Sequence, residues 1–228
     1  MKLTGPFSQI LTLSGIPLKG AVKDEQLEII TEGGIVTADG KIIKTGSFEK
    51  LRNEFPNAEI EEIKGKNVLL PGFIDSHTHI CFGGKRAKDF AMRLNGKTYL
   101  EIAESGGGIW SSVTNTRNET EEQLFQSTFE RAERLIKNGI TTIEIKSGYG
   151  LSPEHEIKML KVINRVKDQS KATIVPTFLG AHMKPRDFEG SNSEYLQLLV
   201  DEVFPVIKSE NLAKRIDIFT EKSTFSIE

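Results

Sequence analysis

The feature that most constrains the fold is an alternation of strand-like and helix-like segments from Val68 onward. The first predicted strand begins at Val68, and the next three cover about 140–146, 172–178 and 216–220. Two predicted helices cover about 121–138 and 193–209, and another begins at Ser152-Pro153. Strands that alternate with helices build a parallel sheet. A closed (β/α)8 barrel needs eight strands and typically about 250 residues. The sequence therefore predicts an α/β fold with an incomplete TIM-like (β/α)8 barrel, about half of which is present.

The residues before the barrel follow a different pattern and predict a small N-terminal β domain. Two β-rich runs, 35–38 and 41–44, flank Asp39-Gly40. Asp-Gly between such runs is a strong hairpin signal, because a type I′ turn needs a positive φ at both central residues. We expect a small β-sandwich-like domain over residues 1–65 and the first half of the barrel over residues 66–228.

Composition and charge exclude several classes of function. The formal net charge is -2, and lysine and arginine are spread among acidic residues, which disfavours a nucleic-acid partner. No stretch approaches the roughly 18 apolar residues of a membrane span, and the first residues lack the features of a secretory signal. The single cysteine, Cys81, suits a reducing compartment. We expect a cytoplasmic protein with a small-molecule substrate and with no nucleic-acid or membrane partner.

The sharpest motif, Pro-Gly-Phe-Ile-Asp-Ser-His-Thr-His over residues 71–79, ends an apolar strand. Side chains alternate across a strand, so His77 and His79 are expected on the same side. Two imidazoles at this spacing can both reach one metal ion at about 2.0–2.1 Å. The alternative is a pair of surface histidines on an edge strand. The Gly83-Gly84 turn favours metal binding, because it places the pair at the end of the strand where barrel enzymes carry their chemistry.

This motif resembles the first barrel strand of the amidohydrolase superfamily. Within the superfamily, further segments resemble the imidazolonepropionase family; they are 82–86 (Phe-Gly-Gly-Lys-Arg), 106–109 (Gly-Gly-Gly-Ile), 144–150 (Glu-Ile-Lys-Ser-Gly-Tyr-Gly) and 177–182 (Thr-Phe-Leu-Gly-Ala-His). The resemblance runs from about residue 30 to the end of the chain. It implies that the barrel is of the amidohydrolase type and that this chain is the N-terminal part of such a protein.

The resemblance also implies roles for five residues. His77 and His79 would bind one divalent metal ion, zinc or iron. Arg86 would bind the carboxylate of the substrate, a task that suits its planar guanidinium. Tyr149 would contact the substrate, and His182 would contact the substrate or its developing charge as a catalytic residue. Taken alone, each of these last three residues also has an ordinary explanation. Arg86 could be a solvated loop arginine, Tyr149 an aromatic residue in a turn, and His182 a loop histidine with a local hydrogen-bond partner.

The implied reaction is hydrolysis of the cyclic amide of 4-imidazolone-5-propanoate to N-formimidoyl-L-glutamate in histidine degradation. The family pattern adds a third histidine, an acidic general base and a metal-binding aspartate on later strands. No residue of this chain matches them, so we expect the remaining ligands and the base to lie outside it.

Three further residues are weaker candidates for a role at the metal site. Asp75 shares the parity of the histidines and is expected to orient ligands rather than to bind metal. Cys81 is interpreted as a small apolar filler rather than a sulfur ligand. Lys146 could bridge two metal ions as a carbamylated lysine, as in some relatives, but its place on the second barrel strand disfavours that role.

Two rival hypotheses remain open at this point. The chain could belong to another amidohydrolase, a heterocycle deaminase or cyclic amidase, although a substrate without a carboxylate has little use for Arg86. It could also be an inactive truncated fragment, because half a barrel exposes strand edges and apolar strand faces that favour association. A homodimer is one expected state of such a chain.

Overall fold

The computed structural model of the protein describes residues 1–221 and 224–226. The chain divides into two compact units, Met1–Pro71 and Gly72–Glu228. The sequence placed this division a few residues earlier, after residue 65. Within the described residues, no helix combines the length and apolar character that crossing a membrane requires.

The first unit is one five-stranded sheet with a single α-helix. Its elements are β1 (Lys2–Leu11), β2 (Ile29–Ala38), β3 (Lys41–Ser47), α1 (Phe48–Glu54), β4 (Glu59–Glu62) and β5 (Val68–Leu69). The strand order is β3-β2-β1-β4, and β5 also pairs with β1. The sandwich-like domain expected from the sequence would need two packed sheets. Instead α1 covers this sheet, and Phe48 and Leu51 of the helix join Leu3 and Val36 of the strands in the core.

The hairpin in this unit forms where the sequence places it. β2 and β3 pair antiparallel, and Ala38 lies opposite Lys41. Asp39 and Gly40 have φ values of 52° and 72°. Positive φ at both central residues is the requirement of a type I′ turn, so the hairpin prediction is confirmed.

The second unit contains the predicted parallel sheet. Its strands are β6 (Phe73–Asp75), β7 (Ile140–Lys146), β8 (Thr173–Ala181) and β9 (Arg215–Ile218), and its helices are α2 (Ala87–Leu94), α3 (Tyr99–Glu104), α4 (Gly108–Asn118), α5 (Glu121–Lys137), α6 (Pro153–Gln169), α7 (Asn192–Leu198) and α8 (Phe204–Ser209). The strand order is β6-β7-β8-β9, and every neighbouring pair is parallel. These four strands correspond to half of an eight-stranded barrel, and the predicted fold class is confirmed.

The two longest helices begin at the predicted positions, and each begins with a side-chain cap. Thr120 Oγ1 accepts from the Gln123 amide at 3.2 Å, and Gln123 reaches back to the Thr120 amide, so a capping box opens α5. Ser152 caps α6, with Pro153 as its first residue. The helix expected over 193–209 is broken by a π-helical turn at Leu199–Val203. The short helices α2, α3 and α4 occupy a segment in which the sequence pattern predicts no helix.

The sheet of the second unit has two chemically different faces. On β7, Ile143 and Ile145 are fully buried and pack in a core that includes Leu160 and Ile163 of α6. Glu144 and Lys146 alternate with them and point to the opposite face. The apolar face holds the helices in place, and the polar face is available for chemistry.

Candidate active site

The two histidines of the motif lie directly after β6 and face each other. The ring centroids of His77 and His79 are 5.3 Å apart, with an interplanar angle of 60°. Thr78, between them, is buried against β7. Its hydroxyl donates to the Glu144 carbonyl at 2.6 Å, and its own carbonyl accepts from the Lys146 amide at 3.0 Å. Because Thr78 is anchored to the neighbouring strand, the two imidazoles are presented together on the other side of the segment.

Side chains from the next two strand ends surround His79. Tyr149 follows β7 and His182 follows β8. The His79 ring stacks on His182 at 5.1 Å and lies 5.8 Å from the ring of Tyr149, and the Tyr149 and His182 centroids are 5.4 Å apart. The carboxyl ends of parallel strands meet at one edge of the sheet, which explains why these residues converge. We call His77, His79, Tyr149 and His182 the ring cluster.

Burial makes His79 a neutral imidazole at physiological pH. Burial is the largest cause that lowers its pKa, to about 4, and the positive charges of His182 and His77 lower it further. A metal ligand must be the neutral form of imidazole. His79 is therefore in the protonation state that metal binding requires.

A backbone carbonyl determines which of the two ring nitrogens of His182 carries the proton. His182 Nδ1 lies 2.8 Å from the Gly148 oxygen, and a carbonyl can only accept, so Nδ1 donates. Burial lowers the pKa of His182, and the bond to Gly148 opposes that shift. In the neutral ring Nε2 is then unprotonated and can act only as an acceptor.

One atom of His79 tests whether the cluster fits a metal ion. His79 Nδ1 is buried and has no hydrogen-bond partner among the described residues. An unsatisfied buried polar atom costs about 1–3 kcal/mol, and imidazole nitrogen is a good ligand for zinc and iron. A catalytic zinc site usually has three protein ligands. No group of three or more His, Cys, Asp or Glu residues within 1–221 and 224–226 is placed to hold an ion. The histidine pair therefore fits part of a metal site rather than a whole one.

A charge network with two buried members, Glu144 and Lys146, lies on the polar face of the sheet beside the ring cluster. Lys146 Nζ donates to Glu144 Oε1 and to Asp217 Oδ2, each at 2.8 Å. Burial alone would lower the pKa of Lys146, but the bonds to Asp217 and Glu144 outweigh burial and raise it. Carbamylation needs a neutral amine, so this network agrees with the expectation that Lys146 is not a bridging ligand. The network lines a cavity of about 580 Å3 that also includes Asp75 and Thr177.

The sequence interpretation missed Glu144 and Asp217 as parts of the candidate site. Strand alternation could have identified Glu144, which shares a face with Lys146 on β7. Asp217 carries no local signal, because its partner Lys146 is 71 residues away in the chain.

Arg86 lies apart from the ring cluster. Its Nε donates to Asp89 at 3.0 Å, and the same carboxylate accepts from the Gly108 amide at 2.9 Å. Arg86 lines a different cavity, of about 610 Å3, which also includes Phe82 and Arg131 and to which no described histidine contributes. Phe82 is the link to the cluster, because its ring lies 6.3 Å from that of Tyr149. The role of Arg86 stays a prediction.

The contacts of Asp75 and Cys81 differ from those expected of metal ligands. Asp75 Oδ1 accepts from the backbone amide of His77 at 3.4 Å, so its carboxylate supports the histidine segment through the main chain. Cys81 is fully buried in the core, and burial raises its pKa to about 12. A metal-binding thiolate needs a lowered pKa, so the interpretation of Cys81 as a filler fits the structure.

Known proteins share both the sequence pattern and the fold. Curated relatives include imidazolonepropionases from Clostridium tetani, 40% identical over 97% of this chain and 53% of that protein, and from Colwellia psychrerythraea, 44% identical over 87% and 48%. The chain spans about half the length of the curated relatives it matches.

Solved structures with the same fold include a guanine deaminase from Bradyrhizobium japonicum, with a TM-score of 0.56 at 17% identity over 92% of this chain and 41% of that one. An atrazine chlorohydrolase from Arthrobacter aurescens TC1, complexed with zinc, has a TM-score of 0.52 at 11% identity over 96% and 46%. At such low sequence identities, the similarity to these structures concerns the fold alone. The sequence profile of the Amidohydrolase family matches residues 68–211, which include β6 to α8 and the whole ring cluster. The chain belongs to the amidohydrolase family.

Proposed function

We propose that this chain supplies the first histidine pair and part of the substrate pocket of a metal-dependent hydrolase. The reaction is the opening of the cyclic amide of 4-imidazolone-5-propanoate to N-formimidoyl-L-glutamate, in histidine degradation. Relatives named imidazolonepropionase, at 36–44% identity, support this substrate. The observation that carries the proposal is His79, a partly buried neutral imidazole whose buried Nδ1 is unsatisfied, in contact with both His77 and His182.

His77 and His79 would hold one divalent ion, zinc or iron. Such an ion lowers the pKa of water to about 7 and polarises a carbonyl group, which supplies the nucleophile and activates the amide. Thr78 contributes by fixing the main chain between the two ligands to β7. Further ligands and a general base would come from residues outside those that the structure describes.

His182 has a more specific role in this proposal than the family resemblance implies. With its proton on Nδ1, the neutral ring cannot donate to a developing oxyanion from Nε2. It can accept a hydrogen bond or a proton from an N–H group of the substrate ring. Tyr149, 92% shielded from solvent between His79 and His182, would form the wall on which the heterocycle rests.

Arg86 would bind the propionate carboxylate. Its cavity also includes the cationic Lys85, Arg131 and Arg134, beside the carboxylates of Glu119 and Glu130. Cations outnumber carboxylates there, and a net positive charge favours an anionic group. Arg86→Ala is expected to raise KM about tenfold or more with kcat little changed, since loss of a charge-assisted bond removes about 1.5–3 kcal/mol of binding. An unchanged KM would contradict this role.

The test of the proposal has a metal-binding arm and an activity arm. Zinc titrated into the metal-free chain by calorimetry should bind at one site, and His77→Ala and His79→Ala should each weaken that binding at least tenfold. His155→Ala is the matched control, because the His155 ring bonds to Ser152 on α6 and lies outside the ring cluster. Equal zinc binding by the wild type and His79→Ala would contradict the metal site.

The activity arm identifies the substrate. The chain, joined to the segment that supplies the further ligands and the base, is loaded with metal and incubated with 4-imidazolone-5-propanoate, and N-formimidoyl-L-glutamate is measured by mass spectrometry. Guanine and a simple cyclic amide are the comparison substrates, with ammonia release as the readout for deamination. Turnover of guanine in place of the imidazolone would replace the proposed function by the deaminase alternative.

A further inference from the structure

Glu156 is a fully buried carboxylate that the proposed chemistry does not use. It lies in the first turns of α6, immediately after the loop of residues 147–151 that carries Tyr149. Its Oε1 accepts from the amides of Gly148 at 3.1 Å, Gly150 at 2.8 Å and Leu151 at 2.8 Å, and its Oε2 also accepts from the Gly148 amide, at 3.0 Å. One side chain therefore receives three backbone donors of the loop that faces the ring cluster.

The chemistry of these contacts fits a carboxylate and no other side chain. The three backbone partners of Glu156 are donors only, and an ionised carboxylate accepts only. Burial raises the pKa of Glu156, and the bonds from the Ser147 hydroxyl and the three amides oppose that shift. A glutamine of the same shape would turn an NH2 group toward at least one backbone N–H. Gly150 brings the loop so close to α6 that a Cβ there would lie 2.5 Å from the His155 carbonyl carbon. The loop has no room to move closer to α6 and so compensate for a poorly matched partner.

The carbonyl groups of the same loop are held from the other side. Arg117 donates to the Gly150 oxygen at 2.6 Å and to the Leu151 oxygen at 3.0 Å, and it pairs with Asp187, which follows β8. The carbonyl of Gly148 in the same loop accepts from His182 Nδ1 at 2.8 Å. Gly148 thus connects two groups directly: its amide binds the Glu156 carboxylate, and its carbonyl binds the imidazole of His182.

We propose that Glu156 is a positioning residue that holds Gly148 and thereby keeps the proton of His182 on Nδ1, leaving Nε2 free to accept. Without a fixed carbonyl opposite Nδ1, the two neutral forms of the imidazole differ little in free energy and both are populated. The same contacts hold Tyr149 against the rings of His79 and His182. The consequence for catalysis rests on the proposed function, whereas the positioning rests on these contacts alone.

The test measures the position of the proton on His182 directly. The 228-residue chain, labelled with 15N, is compared with Glu156→Gln by long-range 1H–15N correlation of the imidazole rings, and His182→Gln assigns the signal. The wild type should show a single form protonated at Nδ1. Glu156→Gln should show a mixture, and the amides of Gly148, Gly150 and Leu151 should exchange with solvent about tenfold faster or more, since an unmatched buried donor costs about 1–3 kcal/mol.

Glu154→Gln is the matched control. It makes the same change two residues earlier on the same helix, at an exposed position, and should leave the His182 signal and the loop amides as in the wild type. A Glu156→Gln chain that keeps both the Nδ1-protonated ring and the protected amides would overturn the proposal.

A second variant decides the matter if Glu156→Gln does not fold. Glu156→Asp keeps an acceptor-only group but is shorter by one methylene, so it cannot reach all three amides from the same place on α6. It should fold with loop exchange faster than in the wild type and with a detectable second form of His182. A Glu156→Asp chain with wild-type exchange and a single form would also overturn the proposal.

These readouts need neither metal nor substrate, so they separate two kinds of failure. If the wild-type chain binds no zinc but Glu156→Gln shifts the His182 proton, the metal site of the proposed function fails and the positioning stands. If zinc binds at the histidine pair and the proton does not move, the positioning fails alone. In an active protein, Glu156→Gln should lower kcat more than it raises KM, because it alters the reacting geometry rather than the binding of the carboxylate.

Discussion

At the scale of single residues, His79 links burial to the pH dependence of stability. Its pKa falls from 6.5 to about 4 in the folded chain, with burial as the largest cause. Between these values the unfolded chain binds the proton and the folded chain does not, so the free energy of unfolding decreases as pH falls from about 6.5 toward 4. Urea unfolding of the metal-free chain, measured across pH 4–7.5, should show this decrease. His79→Gln should give a flatter profile in that window, and parallel profiles for the two proteins would count against the lowered pKa.

Gly148 is a residue whose substitution tests the close packing of the ring cluster. Its φ is +103°, and a Cβ at this position would lie 2.9 Å from the Leu179 carbonyl oxygen and 3.1 Å from His182 Nδ1. Gly148→Ala should therefore lower the free energy of unfolding by more than the backbone strain alone, which is about 1–2 kcal/mol. Gly96→Ala is the control, because Gly96 has φ +78° and open space around it. Chemical unfolding of both variants measures the difference; equal losses would mean that the loop yields to the added methyl group.

At the scale of secondary-structure elements, Lys158 joins two helices that the sequence treats as unrelated. From α6, its Nζ donates to the carbonyls of Thr116, Arg117 and Glu119 at 2.9–3.0 Å, which are the last acceptors of α4 and the residue after it. Unsatisfied carbonyls at a helix C-terminus are stabilised by a cation there.

Lys158→Met should therefore cost about 1.5–3 kcal/mol, the range for hydrogen bonds to a charged group. Lys161→Met is the comparison: Lys161 is on the same helix and forms an exposed pair with Glu210, worth about 0–1 kcal/mol. The measurement is the urea midpoint of each variant. Similar midpoints for both would show that the Lys158 contacts do not stabilise α4.

At the scale of the whole molecule, the surface of the parallel sheet predicts self-association. The two edge strands, β6 and β9, carry exposed apolar side chains; Ile74 is 70% and Ile216 60% exposed. An exposed edge with apolar side chains pairs readily with another copy of the chain. We expect the apparent mass in light scattering to rise with protein concentration.

A charge on the edge should reduce this association. Ile74→Lys places a cation on β6, and Leu18→Lys makes the same change at a fully exposed position outside the sheets. The first variant should shift the mass toward the monomer and the second should not. A wild-type chain that remains monomeric at all concentrations would contradict the prediction.

The sequence by itself determined the features that depend on neighbouring residues. Asp39-Gly40 specifies its hairpin through the φ preference of two adjacent positions, and Thr120 and Ser152 specify helix starts through side-chain bonds three residues away. The alternation of strands and helices from Val68 fixed the parallel sheet, and with it the edge where residues after successive strands meet. For that reason His77, His79, Tyr149 and His182 could be predicted to lie together, although their roles remain proposals.

Only the tertiary structure decided which side chains contact each other across the chain. The partner of Lys146 in β9 is 71 residues away, and that of Gly148 after β8 is 34 residues away. No local pattern encodes the register between strands that creates these pairs. The same holds for Glu156, whose spacing from the apolar residues of α6 indicates only a buried helix position. It also holds for Arg86, because its bond to Asp89 depends on how the short helices around it fold. Local sequence patterns determine hairpins and helix starts because the free energies of these elements come from adjacent residues. The position of the proton on His182 depends instead on a carbonyl 34 residues away, which only packing brings close.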